Sequence, residues 1–291
     1  MSKKMEELCE YKDVEKKRLI FSMIITGTVM VIEVIGGIIT NSLALFSDAG
    51  HMFTHFFALL MSFVAIKIAS KMPCHHRTFG LYRAEIIAAL FNSLFLFGVT
   101  GYILYESFLR ILKPEPILEF EMLIVAILGL IVNIITVAIL HRSSHEDLNI
   151  KGAYIHMIGD TASSVAIIIG VIILMFTGWY IIDPLLALGI AVVILIWAIR
   201  LFKDSIEILL EMAPKGMDID QVSAALKKEI SEIKEIYDMH IWVITSNMYS
   251  FTARIAVNDT ENENYKDLMY KIKDFLQQKY GIIHSTIEFE F

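Results

Sequence analysis

The chain has 291 residues, of which 56% are hydrophobic, and a mean hydropathy of +0.61, too apolar for an ordinary solvated surface to cover its core. Its net charge of -7 and pI near 5.7 give no basic surface for nucleic acid, which drops out as a partner. Cys9 and Cys74 lie far apart and form no disulfide framework, so both are expected to be reduced cytosolic thiols.

The amino-terminal arm, MSKKMEELCEYKDVEKKRL, is dense in charge before any apolar run begins and does not read as a cleavable signal peptide. A hydrocarbon core of ~30 Å needs about 20 apolar residues in a helix. Six windows meet that length, near 19–40, 43–66, 84–109, 117–140, 152–177 and 179–201. Thr40-Asn41-Ser42 forms a very short turn between the first two. Lys12, Lys16, Lys17 and Arg18 crowd the arm. Lys67, Lys71, Arg77 and Arg83 lie between spans two and three, Arg142 and Lys151 between four and five, and Arg200 and Lys203 after the sixth. The positive-inside rule puts these segments and both termini in the cytoplasm, with Arg110 and Lys113 opposite, offset by Glu115, Glu119 and Glu121.

From about Asp204 the composition becomes that of a soluble domain. Asp218 and Gln221 mark a helix start, and Val222, Leu226, Ile230 and Ile233 recur at helical spacing. MHIWVITS and SFTARIAV read as a hairpin turning around Asn247-Met248-Tyr249; NYKDLMYKIKDFLQQKY is an amphipathic helix closed by Gly281, and HSTIEFEF a final strand. The expected architecture is an α-helical polytopic membrane protein of six transmembrane helices with a carboxyl-terminal cytosolic α+β domain of ferredoxin-like order α-β-β-α-β. An antiparallel three-stranded sheet covered on one face by two helices is its simplest packing. The boundaries are a cytosolic arm over 1–18, a transmembrane domain over 19–203 and the α+β domain over 204–291.

An ionisable side chain inside a span costs roughly 2.5–3.5 kcal/mol on insertion scales, so each one needs a reason. In the second span Asp48, His51 and His55 are spaced by three and four and share one helix face. In the fifth, His156 and Asp160 are four apart and do the same. Two such pairs on separate helices, His51 with His55 and His156 with Asp160, can enclose one tetrahedral ion, and three imidazoles with one carboxylate suit Zn(II) and its neighbours better than Mg or Ca. Asp48 is open to support of a ligand, proton relay or helix cap, and, least of these, to being a metal ligand itself. Glu33, beside Gly36-Gly37, is a helix-packing site or part of an ion path. Asn92, Asn133, Ser163 and Ser164 read as interhelical hydrogen-bonding residues rather than ligands.

At these residues the chain resembles the cation diffusion facilitators, a family of divalent-metal/proton antiporters. NSLALFSDAGHMFTH, HMIGD, RTFGLYRAEIIAALFN, DMHIWVITS and HSTIEFE are similar to that family's signatures, in order, over nearly the whole chain from about Lys17. The resemblance implies a homodimer paired through its cytosolic domains and metal export by alternating access. In that pattern the second donor of the second span is usually Asp; here it is His55. His240 and His284 match metal positions of the family's cytosolic domain, whereas Arg254 stands where a further His often occurs and would repel a metal. Cys74-His75-His76 is a candidate loop site set against a plain solvated loop, and His141 with His145 could funnel cations or be an ordinary polar loop.

The expected function is proton-coupled efflux of divalent transition metals, Zn2+ foremost, with Cd, Co, Ni or Fe(II) as alternatives. Imidazole titrates near 6.5, so an acidic outer face would protonate the ligands and expel the ion. An intramembrane zinc protease needs His-Glu-x-x-His, and Met52 occupies the position of the Glu. A membrane metal sensor signalling through the cytosolic domain is the other rival. The expected partners are metal ions, protons, the bilayer and a second copy of the chain, and the expected setting is a prokaryotic inner or plasma membrane.

Overall fold

A computed structural model of the chain describes residues 24–69, 81–141, 148–245, 248–257 and 265–290, with side chains at 55, 58, 59, 61–69, 139–141 and 148–157 outside that description. The expected membrane helices are α1 (Ile24–Thr40), α2 (Leu43–Ala69), α3 (Arg83–Leu112), α4 (Glu119–His141), α5 (Leu148–Thr177) and α6 (Ile182–Leu209). Among the described residues, four of these are long and apolar enough to cross a bilayer: Arg83–Leu112, Glu119–Ala138, Ile158–Thr177 and Ile182–Leu209. The sixth helix runs on to Leu209, beyond the expected end of the span. The described residues form two compact units, those up to Phe63 with Phe91–Arg200, and those of Val64–Leu90 with Leu201–Phe291.

In the first unit α2 is common to two apolar clusters. Ala44 and Leu45 pack with Met122 and Ala126 of α4 and Ile167, Val171 and Leu174 of α5. Leu43 packs with Ile103 of α3 and Ala187 and Ala191 of α6. Large apolar side chains such as Ile131, Ile135, Ile169, Ile172 and Ile196 stay exposed, as expected of helix faces solvated by lipid rather than water.

The turn between α1 and α2 is short because its residues satisfy its own backbone. Asn41 adopts φ 57°, and Ser42 N–H donates back to Gly37 C=O at 3.0 Å, the left-handed closure of a Schellman motif. Arg110 of α3 braces the turn, donating to Asn41 C=O at 2.7 Å and Asn41 Oδ1 at 2.9 Å. The glycine pair expected to mediate packing does so. A Cβ on Gly36 would lie 2.7 Å from Val125 Cγ1, and one on Gly37 would lie 3.0 Å from Phe46 N and 3.2 Å from Ser42 O. Backbone cannot step aside as a side-chain tip can. Gly37→Ala is therefore expected to cost about 1–3 kcal/mol, whereas Gly98→Ala, with open space around it, costs nothing measurable; thermal melts in detergent compare the two.

The second unit holds α7 (Ile219–Glu229), β1 (Ile233–Thr245), β2 (Met248–Val257), α8 (Tyr265–Tyr280) and β3 (Ile282–Glu290). Asp218 caps α7 as expected, its carboxylate accepting from the N–H groups of Asp220 and Gln221, and Gly281 at φ 66° ends α8. The expected hairpin forms, but more tightly: Thr245 pairs with Met248, so Met248 and Tyr249 belong to β2. The expectation of an antiparallel sheet is corrected. The order is β1-β2-β3 with β1 and β2 antiparallel, but β2 and β3 are parallel. The α8 crossover returns the chain to the end at which β2 began, so β3 must run in the same direction. Val222 and Leu226 of α7 and Leu268, Ile272 and Leu276 of α8 join Phe251, Ile255 and Ile282 in one core, so both helices cover one face. Within this unit the start of α3 is tied down by Arg83 to Glu211 at 2.7 Å and by Thr245 Oγ1 donating to Glu85 at 2.9 Å.

Candidate metal centre

Spacing along α2 puts His51 one turn from Asp48, and spacing along α5 puts Asp160 and Ser163 on one side of that helix. His51 Nε2 lies 3.1 Å from Asp160 Oδ1, with the two residues 8% and 3% exposed. An imidazole and a carboxylate from different spans thus meet in an apolar interior, where a lone charge would be costly and a pair is tolerated only in good geometry. One turn away, Ser163 Oγ donates to Asp48 Oδ1 at 2.8 Å. The same hydroxyl lies 2.9 Å from Asp160 C=O, and Ser164 Oγ bonds that carbonyl at 3.0 Å. Serine is suited to this position because its hydroxyl fits against its own helix and still reaches across to the next.

Of the four expected donors, His51 and Asp160 come together. The backbones of His55 and His156 lie in α2 and α5, one turn from His51 and Asp160 respectively, and their side chains lie outside the described residues. Among the described side chains no group of three His, Cys, Asp or Glu gathers closely enough to hold a metal. Cys74, His75, His76 and His145 lie outside the described residues, as does the His141 side chain. Asp48 is 3% exposed and is engaged by Ser163, which places a hydrogen-bonded carboxylate beside the His51–Asp160 pair. Asn133 Nδ2 donates to Ser164 Oγ at 3.1 Å, the interhelical role expected of both.

Two residues that spacing did not single out also shape the site. Trp197 of α6 sets its indole 5.1 Å from the His51 ring, centroid to centroid, at 50°. It forms an apolar wall that limits how His51 can turn. Asp183, at the start of α6, is 0% exposed and receives Ser42 Oγ at 2.6 Å, Leu43 N–H at 2.8 Å and Ala44 N–H at 3.1 Å. It thereby anchors the amino terminus of the helix that carries His51, where the helix dipole also favours an anion. Removing the Trp197 ring in Trp197→Ala is expected to weaken metal binding about two- to tenfold, matching the roughly 0.5–1.5 kcal/mol of an aromatic pair. Trp197→Phe should recover most of it in the same titration.

In the second unit His240 is paired opposite Thr252, and His284 opposite Ser250. Both side chains are exposed, with His240 Nε2 3.1 Å from Asp238 Oδ1. Arg254 pairs with Glu288 at 3.1 Å and lies 3.7 Å from Glu290, which also accepts from Tyr237 Oη at 2.8 Å. The hydrogen bond to Glu288 and the charges of Glu288 and Glu290 hold the guanidinium still more firmly in its charged form, so a fixed cation stands on this sheet.

Residues 19–210 match the family model described as the cation efflux transmembrane domain, and residues 214–291 the one described as the cation efflux protein cytoplasmic domain. The chain is 41% identical over 279 residues to the metal cation efflux system protein CzcD of Cupriavidus metallidurans, covering 94% of this chain and 86% of that protein. It is 38% identical over 281 residues to the cadmium, cobalt and zinc/H(+)-K(+) antiporter of Bacillus subtilis, covering 94% and 89%. Against the zinc transporter ZitB of Escherichia coli it is 34% identical over 281 residues, covering 96% and 89%.

Proposed function

The chain belongs to the cation efflux, or cation diffusion facilitator, family, and we propose that it exports divalent transition-metal ions, zinc foremost, from the cytoplasm in exchange for protons. The observation that carries this reading is the buried His51–Asp160 contact between two spans. With Asp160 ionised its oxygen can only accept, so without metal the facing Nε2 of His51 carries the proton. A dication taking both donors must displace that proton, because the same nitrogen lone pair cannot hold a proton and a metal. Metal and proton therefore compete for one place, and opening the site alternately to either side converts an inward proton gradient into outward metal flux without ATP.

His55 and His156 complete the tetrahedron in this proposal, their backbones lying one turn from the pair. Three imidazoles and one carboxylate leave a dication with net charge, compensated by Asp48 close by. Substituting His55 for the more usual Asp makes the donor set softer and less anionic, which favours Zn, Cd, Co and Ni over Mn. The membrane domain spans 19–203 with both termini cytoplasmic, and the domain over 204–291 pairs two copies. One observation supports keeping metal off its outer sheet face: the charged Arg254. A sensor would bind metal without passing it on. Competition titrations with Zn, Cd, Co, Ni, Mn and Fe(II), each followed by flux of the bound ions, test the selectivity: Zn and Cd should bind tightest and Mn weakest. Equal binding of all six would contradict the donor set.

A further inference from the structure

Glu33 sits in the middle of α1 with 1% of its surface exposed, and among the described residues its Oε2 has no hydrogen-bond partner. Its Oε1 lies where a side chain on Gly129 of α4 would begin, 2.8 Å from the position of a Cβ there. The absence of a side chain at 129 makes the room in which this carboxyl is kept. The described part of α4 around it, 122–138, contains no titratable residue. Among the described residues, the groups within electrostatic reach are two acids, Asp48 of α2 and Asp160 of α5.

Three carboxyls thus share one low-dielectric interior, and they are not equally supported. Asp160 has His51, and Asp48 has the Ser163 hydroxyl. Glu33 Oε2 has neither, and a buried carboxylate oxygen without a donor loses several kcal/mol of solvation unless the group is neutral. Two nearby acids add repulsion to that cost. What would change the balance is a dication between α2 and α5, whose field at a neighbouring carboxyl is attractive.

We propose that Glu33 is a proton-carrying site of the exchange cycle, separate from the metal ligands: it holds a proton while the metal site is empty and releases it when a dication binds. On metal entry the Glu33 O–H bond breaks, its electron pair stays on the carboxylate and the proton leaves to cytoplasmic water. On metal release at the other face a proton from that side re-forms the bond. The interior then swings by less charge between its two states than it would if metal entered alone. The inference rests on the metal site proposed above and adds to it a proton that no ligand carries.

The test uses the full-length protein in detergent, titrated with Zn(II) in weakly buffered solution, with protons released and metal bound read together. Glu33→Gln, the neutral isostere, is expected to bind Zn(II) within a few-fold of the wild-type affinity while releasing about one proton fewer per metal, and Glu33→Asp to restore the count. Release unchanged in Glu33→Gln would overturn the proposal. So would a Glu33→Gln protein that does not fold, because the amide matches the neutral acid in shape and only a required anion would be missed. Failure of the underlying metal site reads differently: His51→Ala would then bind Zn(II) as tightly as the wild type, whatever happens at Glu33.

Discussion

An Asp160→Asn protein is expected to fold, to elute like the wild type and to move no metal. The amide still reaches His51 across the α2–α5 contact, which spans 3.1 Å, so packing is preserved. What disappears is the anionic donor and, with it, the reason for a dication to displace the His51 proton. Loss of an outer-shell partner alone typically costs 10- to 100-fold in metal affinity, and loss of a ligand should cost more, at least about 100-fold. Equilibrium titration against a competing chelator reads this directly. Binding within tenfold of wild type would remove Asp160 from the ligand set.

Asp183→Ala is expected to have the other large effect, on folding rather than on metal. The carboxylate receives three donors from the start of α2, at 2.6, 2.8 and 3.1 Å, all buried. Each stranded donor costs about 1–3 kcal/mol, so the sum takes up much of the ~5–15 kcal/mol that a typical folded domain has in hand. The variant should fail to accumulate as a monodisperse protein, and Asp183→Asn, which keeps acceptor capacity, should fall between it and the wild type. Ser42→Ala should be milder, near the ~1 kcal/mol of a lost helix cap, because the N–H groups of Leu43 and Ala44 retain their carboxylate. Asp183→Ala protein with an unchanged melting temperature would show that the contact carries no stability.

The contrast between Asp160 and Asp183 shows what the chain discloses by itself. The meeting of Asp160 with His51 was legible because its signal is local: an imidazole four residues away on the same helix repeats a pattern on another helix. Asp183 precedes Pro184 at the start of a span, where an acid looks like an ordinary helix-opening residue. Its partners lie about 140 residues upstream, and no spacing rule connects them. Trp197 was hidden for the same reason, reading as one more apolar residue on α6.

The soluble domain divides in the same way. Asp218 and Gly281 mark the helix ends from neighbouring residues, as expected, whereas β1 begins already at Ile233, which the helical spacing assigns to α7. Strand direction is a property of pairing, not of periodicity. The parallel partnership of β2 with β3 follows once α8 is taken as a crossover, whereas an alternating pattern fits either direction equally well. Glu33 lay between the two cases: its burial in a span was evident from sequence, but the unpartnered Oε2 and the space at Gly129 exist only in three dimensions.

The most direct test of metal–proton exchange is Zn(II) flux in sealed proteoliposomes with an imposed pH gradient and a metal indicator and a pH indicator trapped inside. With protein oriented cytoplasmic face outward and an acidic lumen, Zn(II) should enter and the lumen should lose protons in step, both processes stopping in His51→Ala. Zn(II) entry indifferent to the gradient, or unaltered in His51→Ala, would contradict exchange at this site.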